Sequence, residues 1–166
     1  MSELKEVMLA RPRRTLALAE SLTCGRLQAR VGSISGASEF FLGGITAYSL
    51  DEKVRHLGID RAEAGLVNCV SAHIAEQMAR GACVLFGSDA GAATTGYAEP
   101  SVEWKVDEPF AWWGLAQRQA DGDFTVCSGL VSLEGLSRTE AQERAASVTL
   151  DALVTWLREL SAGHRR

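Results

Sequence analysis

Residues 15–19, Thr-Leu-Ala-Leu-Ala, form a short apolar run that passes within a few positions into Glu20, Ser21, Thr23, Cys24 and Gly25. A run of this kind, without polar alternation, suits a strand in the interior of a sheet. From Gly25 onward the spacing of Leu27 and Val31 predicts a short helix. The opening unit is therefore strand, tight loop, helix. Open α/β sheets place ligands at such a corner, beyond the carboxyl end of a strand and beside a helix's first turn, whose free N–H groups can hold an oxyanion or a phosphate. Strand alternation turns Glu20 away from Ser21 and gives it a structural role. On spacing alone, Ser21 or Thr23 is either a helix cap or a reactive group.

The remaining elements surround that unit. Ser2 is placed to cap a helix over "ELKEVMLA", which Pro12 ends, and "RPRR" at 11–14 reads as a basic, solvated linker. "ITAY" at 45–48 predicts a strand, and Ser49 opens a helix after it. Residues 71–86 give the clearest helix of the mid-chain, ending at Gly87. A hairpin is expected over 110–131 around the turn "ADGD". Ser137 and Glu140 form a capping box that starts the last helix, which runs to about Leu160 and leaves 162–166 as a frayed tail. Helices at both ends with strands between predict one α/β domain over 1–166, three layers (α/β/α) around a mixed central sheet.

Composition removes several function classes. Seventeen basic against twenty-one acidic side chains leave a net charge of −4, which argues against general nucleic-acid or anionic-membrane binding. No apolar run approaches the length of a membrane span, and the N-terminus is too charged for a signal peptide. Cys24, Cys69, Cys83 and Cys127 form no C-x-x-C pair, so no metal is expected, and a reducing cytoplasm is the expected compartment. Cys83 and Cys127 lie in apolar runs and read as core. His56, His73 and His164 fit no Ser-His-Asp pattern.

A second corner lies in "AYSLDEK", 47–53. Ser49 and Glu52 form another capping box, which puts Tyr48 and Lys53 at the two staple positions where hydrophobes ordinarily meet. Either Lys53 lays its methylenes on the phenol ring, or Tyr48 and Lys53 work as a pair. In the second case, burial lowers the lysine pKa so that it acts as a base, or the charged lysine favours a phenolate that takes the proton of Ser21. Ser21, Tyr48 and Lys53 then form a serine nucleophile activated without histidine.

These blocks resemble the CinA C-terminal domain family, the nicotinamide-nucleotide amidases, from about Leu4 to Leu160. "AESLTCG" is similar to the family's A-E-S-C-T-G-G, and "GGITAYSLDEKVRHLGI" to G-G-x-x-A-Y-S-N-x-x-K-x-x-x-L-G-V. Tyr48 follows Ser21 by 27 positions and Lys53 by 32, the family's spacing. "NCVS" and "TTGYAEP" resemble the family's G-A-V-S and T-G-I-A-G-P.

The resemblance implies a three-layer α/β fold without a cofactor, a homo-oligomer, and hydrolysis of the carboxamide of nicotinamide mononucleotide, or a related nucleotide-like amide, to carboxylate and ammonia. Ser21 is then the nucleophile, with Tyr48 and Lys53 activating it, and Thr23, Gly25, Gly96 and Arg138 are substrate contacts. The chain reads as a stand-alone version, without the molybdopterin-binding-like domain of fused members. Leu50 and Glu99 depart from the family's Asn and Gly, Cys24 puts a side chain where the family has glycine, and an acidic Glu99 beside the substrate would repel a phosphate. The alternative expectation is an inactive paralogue that binds or regulates through a small ligand.

Overall fold

The computed structural model describes residues 2–163. Strand β1 (Leu16–Glu20) and helix α2 (Arg26–Gly32) form the expected opening unit, preceded by α1 (Glu3–Leu9). A turn of 3-10 helix, β2 (Phe41–Thr46), α3 (Leu50–Leu57), α4 (Arg61–Leu66) and α5 (Ala72–Phe86) follow. The chain then forms β3 (Ala90–Tyr97), the hairpin β4 (Phe110–Arg118) and β5 (Phe124–Ser132), and the long α6 (Arg138–Gly163). The sheet order is β2-β1-β3-β4-β5. Strand β1 pairs in parallel with β2 and β3, while β3, β4 and β5 run antiparallel, so the sheet is mixed.

Every residue of β1 is buried, because both faces of the strand are covered. Leu16 and Leu18 point into a cluster with Leu4, Met8, Leu27, Leu153 and Leu157 from α1, α2 and α6. Ala17 and Ala19 point the other way, toward Ile74, Met78 and Cys83 of α5. The small residues on that side continue across the sheet. A Cβ at Gly91 would strike the Ala79 carbonyl, and one at Gly114 the backbone of Ala75 and Glu76. Helix α5 therefore rides directly on backbone, while α1, α2 and α6 stand off on leucines. Gly114→Ala is expected to lower stability by about 2 kcal/mol or more, since the obstacle is main chain that cannot rotate away. Thermal unfolding of the variant measures this.

Several local expectations are corrected. Strand β2 ends at Thr46, so Ala47 and Tyr48 lie past it. Ser2 occupies the N-cap of α1 without a side-chain bond. Arg14, placed by its sequence in a solvated linker, is buried at 7% exposure. Helix α6 continues to Gly163, beyond Leu160, through Ala162 and Gly163 of the expected tail. The basic "HRR" end lies outside the described residues. Helix α4 had no counterpart in the sequence reading. The capping expectations at Ser49 and Ser137 agree with the structure, where they accept from the N–H groups of Glu52 and Glu140, and Ser71 caps α5 in the same way by accepting from Ile74 N–H.

Candidate active site

The chain leaves β1 through α2 on one face of the sheet and returns from β2 to β3 through α5 on the other, so β1 and β3 flank the switch point where such sheets bind ligands. Ser21 stands there. Its N–H donates to the Thr94 carbonyl of β3 (3.0 Å), and its own carbonyl accepts from Cys24 N–H (3.1 Å), which closes a tight turn. Cys24 (φ 50°) and Gly25 (φ 94°) complete that turn in left-handed backbone, a strained state for the cysteine. The side chain at position 24 is exposed.

The N-terminus of α2 is not open to a ligand. The buried Glu20 carboxylate turns back over it and accepts from the N–H groups of Gly25 (2.9 Å), Leu27 (3.1 Å) and Gln28 (2.8 Å). The Thr23 hydroxyl lies 2.6 Å from Glu20 Oε2 and 2.7 Å from the Thr94 hydroxyl, and its residue is fully buried. Thr23 and Gly25 therefore brace the turn from behind. The expectation that this helix start offers free donors to an oxyanion is overturned, because an internal anion already holds them. The structural reading of Glu20 agrees with its position.

Lys53 reaches Ser21 from α3. Its Nζ lies 3.1 Å from Ser21 Oγ and donates to the Tyr48 carbonyl at 2.8 Å, and the residue is only 2% exposed. Burial pushes the lysine pKa below its ordinary value, partly opposed by the neighbouring Cys69 thiol. Burial likewise raises the Cys69 thiol, with Lys53 opposing. Among the described residues no carboxylate pairs with the Lys53 amine, whose partners are Ser21 Oγ and the Tyr48 carbonyl. Lys53 Nζ thus donates to both the Tyr48 carbonyl and Ser21 Oγ.

The phenol of Tyr48 does not join them. It is half-exposed at the mouth and accepts from Arg138 Nη2 at 3.0 Å, while Arg138 Nη1 pairs with Glu99 at 2.6 Å. The staple expectation thus holds for neither alternative: Lys53 meets the main chain of Tyr48, and the ring swings outward to the first turn of α6. Glu99 sits against Arg138, not as a free carboxylate.

Ser21, Tyr48 and Lys53 line one cavity of about 310 Å³ with Asn68, Cys69, Thr95, Gly96 and Tyr97. Gly96 is where the backbone must come close, since a Cβ would strike the Phe110 carbonyl and Ala111. The Asn68 amide donates to the Tyr97 hydroxyl (3.0 Å), and Thr95 Oγ1 donates to the Cys69 carbonyl (2.7 Å). Asn68 (φ 49°) and Cys69 (φ 60°) are both left-handed. Sequence reasoning passed over this wall; its one visible signal was asparagine, which tolerates that conformation, at a position where the family pattern carries glycine. Among the described residues no group of three or more His, Cys, Asp or Glu side chains could hold a metal ion, and no helix is long and apolar enough to cross a membrane.

The fold and the site can be set beside known proteins. A CinA superfamily protein from Klebsiella pneumoniae 700603 superposes with a TM-score of 0.82 over 95% of this chain and 94% of its own, at 22% identity. The competence/damage inducible protein CihA from Agrobacterium tumefaciens gives 0.72 over 95% and 97%, at 24% identity. In sequence, a CinA-like protein of Chlorobium limicola is 35% identical over 155 residues, 92% of this chain and 36% of that protein. A putative competence-damage inducible protein of Streptococcus pyogenes is 42% identical over 128 residues, 76% of this chain and 30% of its own length. The chain thus spans about a third of these curated relatives. The model of the CinA C-terminal domain matches residues 1–157, end to end across the sheet and both helical layers, and the chain belongs to that family.

Proposed function

We propose that this chain is an amidohydrolase that converts the carboxamide of nicotinamide mononucleotide, or of a related small amide, to a carboxylate and ammonia. The observation that carries the reading is the buried Lys53 Nζ, 3.1 Å from Ser21 Oγ at the floor of an open cavity. Neutral Lys53 takes the hydroxyl proton as Ser21 Oγ adds to the amide carbon. It returns that proton to the departing nitrogen, so that ammonia leaves and an acyl ester remains on Ser21. Water then adds to the ester with the same lysine as base, and the carboxylate leaves as Ser21 regains its proton.

Tyr48 serves this chemistry through its carbonyl, which fixes the amine, and its phenol belongs to substrate recognition at the mouth. Arg138 is the group there able to meet an anionic substituent, with Glu99 as its internal competitor. Glu99→Gln is expected to lower KM for nicotinamide mononucleotide about two- to fivefold, the reach of an exposed ion pair, and to leave nicotinamide riboside unchanged. Equal effects on both would remove phosphate sensing from this pair. The reading as a whole is tested by ammonia release from the mononucleotide and a panel of related amides. Release from none of them would leave the inactive, ligand-binding paralogue.

A further inference from the structure

Three segments wall the cavity above Ser21: the approach to α3 with Tyr48 and Leu50, the end of β3 with Thr95 and Tyr97, and the turn between α4 and α5 with Asn68 and Cys69. The last two are tied to each other twice. Deep in the site, the buried Thr95 Oγ1 donates to the Cys69 carbonyl at 2.7 Å. Nearer the surface, the Asn68 amide donates to the Tyr97 hydroxyl at 3.0 Å. Both ends of this outer tie are held in place by other contacts. The Tyr97 ring meets that of Phe110, directly opposite on β4, with 5.6 Å between centroids and 60° between planes. The turn is pinned by bonds from Cys69 N–H to the Ala64 carbonyl and from Val70 N–H to the Val67 carbonyl, both 2.8 Å. Little conformational freedom is left to lose when the tie forms.

Neither residue belongs to the patterns that the flanking motifs resemble. Against G-A-V-S, Asn68 stands on glycine, and against T-G-I-A-G-P, Tyr97 stands on isoleucine. A glycine and an isoleucine have no polar side-chain atom between them, so a chain that followed the patterns could not make the outer tie. Asn68 makes it from φ 49°, backbone that suits glycine and that asparagine tolerates while carrying a side chain able to reach across.

Resting on the amidase reading, we propose that Asn68 and Tyr97 form a bar that sets the specificity of this site, admitting a small aromatic amide of one ring and disfavouring one whose ring nitrogen carries a sugar. The bond closes the rim between β3 and the α4–α5 turn and leaves the opening beside Tyr48. The whole cavity is about 310 Å³, near the lower end of the ~300–1,000 Å³ usual for small-molecule sites. One ring with its carboxamide fits that space against Ser21, whereas a ribosyl group adds as much bulk again as the ring. At the remaining opening Arg138 is engaged by Glu99 and the Tyr48 hydroxyl, so an added phosphate finds no unshared partner there.

The test compares ammonia release from nicotinamide and from nicotinamide riboside. The parent should favour nicotinamide in kcat/KM by at least about tenfold, the low end of what a pocket gains by discriminating bulk. Asn68→Gly removes the bar at a position whose backbone suits glycine, and should shift the ratio of the two kcat/KM values toward the riboside by at least about tenfold. The ratio cancels any general loss of activity. Tyr97→Phe keeps the ring against Phe110 and removes the bond, and should shift the ratio the same way by less; it decides if Asn68→Gly fails to fold in thermal denaturation. A parent that takes both amides equally overturns the proposal, as does a ratio that the variants leave unmoved. If neither amide releases ammonia, the amidase reading fails by itself, and calorimetric titration of parent and variants with the same two ligands reads the bar. A preference for nicotinamide that Asn68→Gly removes then supports it, and equal or absent binding by all three proteins overturns it.

Discussion

Ser21→Ala is expected to reduce amide hydrolysis to background while the protein still folds and still binds substrate. The hydroxyl is the only part removed. Its main-chain bonds to Thr94 and Cys24 keep the turn, and Glu20 and Thr23 brace it independently of the side chain. The lost bond to Lys53 costs about 1 kcal/mol of stability, since the amine keeps the Tyr48 carbonyl. Ammonia release and calorimetric titration on the same preparation separate the two effects. Hydrolysis at the parent rate would end the assignment of Ser21 as nucleophile, whereas lost binding with lost turnover would indicate a recognition role.

Lys53→Met removes the proposed base and keeps the stem, and turnover is expected to fall by at least about a hundredfold, the usual reach of a positioned general base. Tyr48→Phe keeps the carbonyl that orients the lysine and should spare kcat while raising KM. Stability supplies a second readout. The lysine pKa is lowered in the fold by burial, so between that lowered value and 10.5 the unfolded chain binds one more proton than the folded one. Parent stability therefore rises with pH through this window relative to Lys53→Met, by up to about 1.4 kcal/mol per unit, and is lost again as pH falls toward the folded pKa. Paired thermal unfolding from neutral to mildly alkaline pH measures it. Parallel curves would mean that Lys53 is an ordinary charged lysine and no base at neutral pH.

Much of this arrangement was legible before the structure, for identifiable reasons. Strand β1 could be read because both of its faces are buried and its residues are accordingly apolar. The starts of α3 and α6 could be read because a hydroxyl that satisfies a free N–H three residues on leaves a local mark. Ser21 and Lys53 could be paired because the motifs fix their positions just past the end of β1 and on α3. What escaped depended on side-chain directions and backbone turns that no sequence period marks. The residue before a cap stands outside the helix, so nothing local directs the Tyr48 ring toward Arg138. Alternation says that Glu20 faces away from Ser21, but not that α2 folds back onto its carboxylate. The Asn68–Cys69 wall follows a helix of six residues too short to show a period.

Glu20 has a wider implication for how substrates are chosen on this scaffold. In many α/β proteins one helix start both places the reacting group and grips the ligand's anion, so neither task can drift without disturbing the other. Here a carboxylate from the protein itself satisfies that helix, and the group able to greet an anion is Arg138, at the head of an element more than a hundred residues later in the chain. On the proposed reading, reactivity and ligand choice rest on separate elements, so substitutions around the first turn of α6 and the loop carrying Glu99 are expected to retune what enters while the serine and lysine beneath stay untouched.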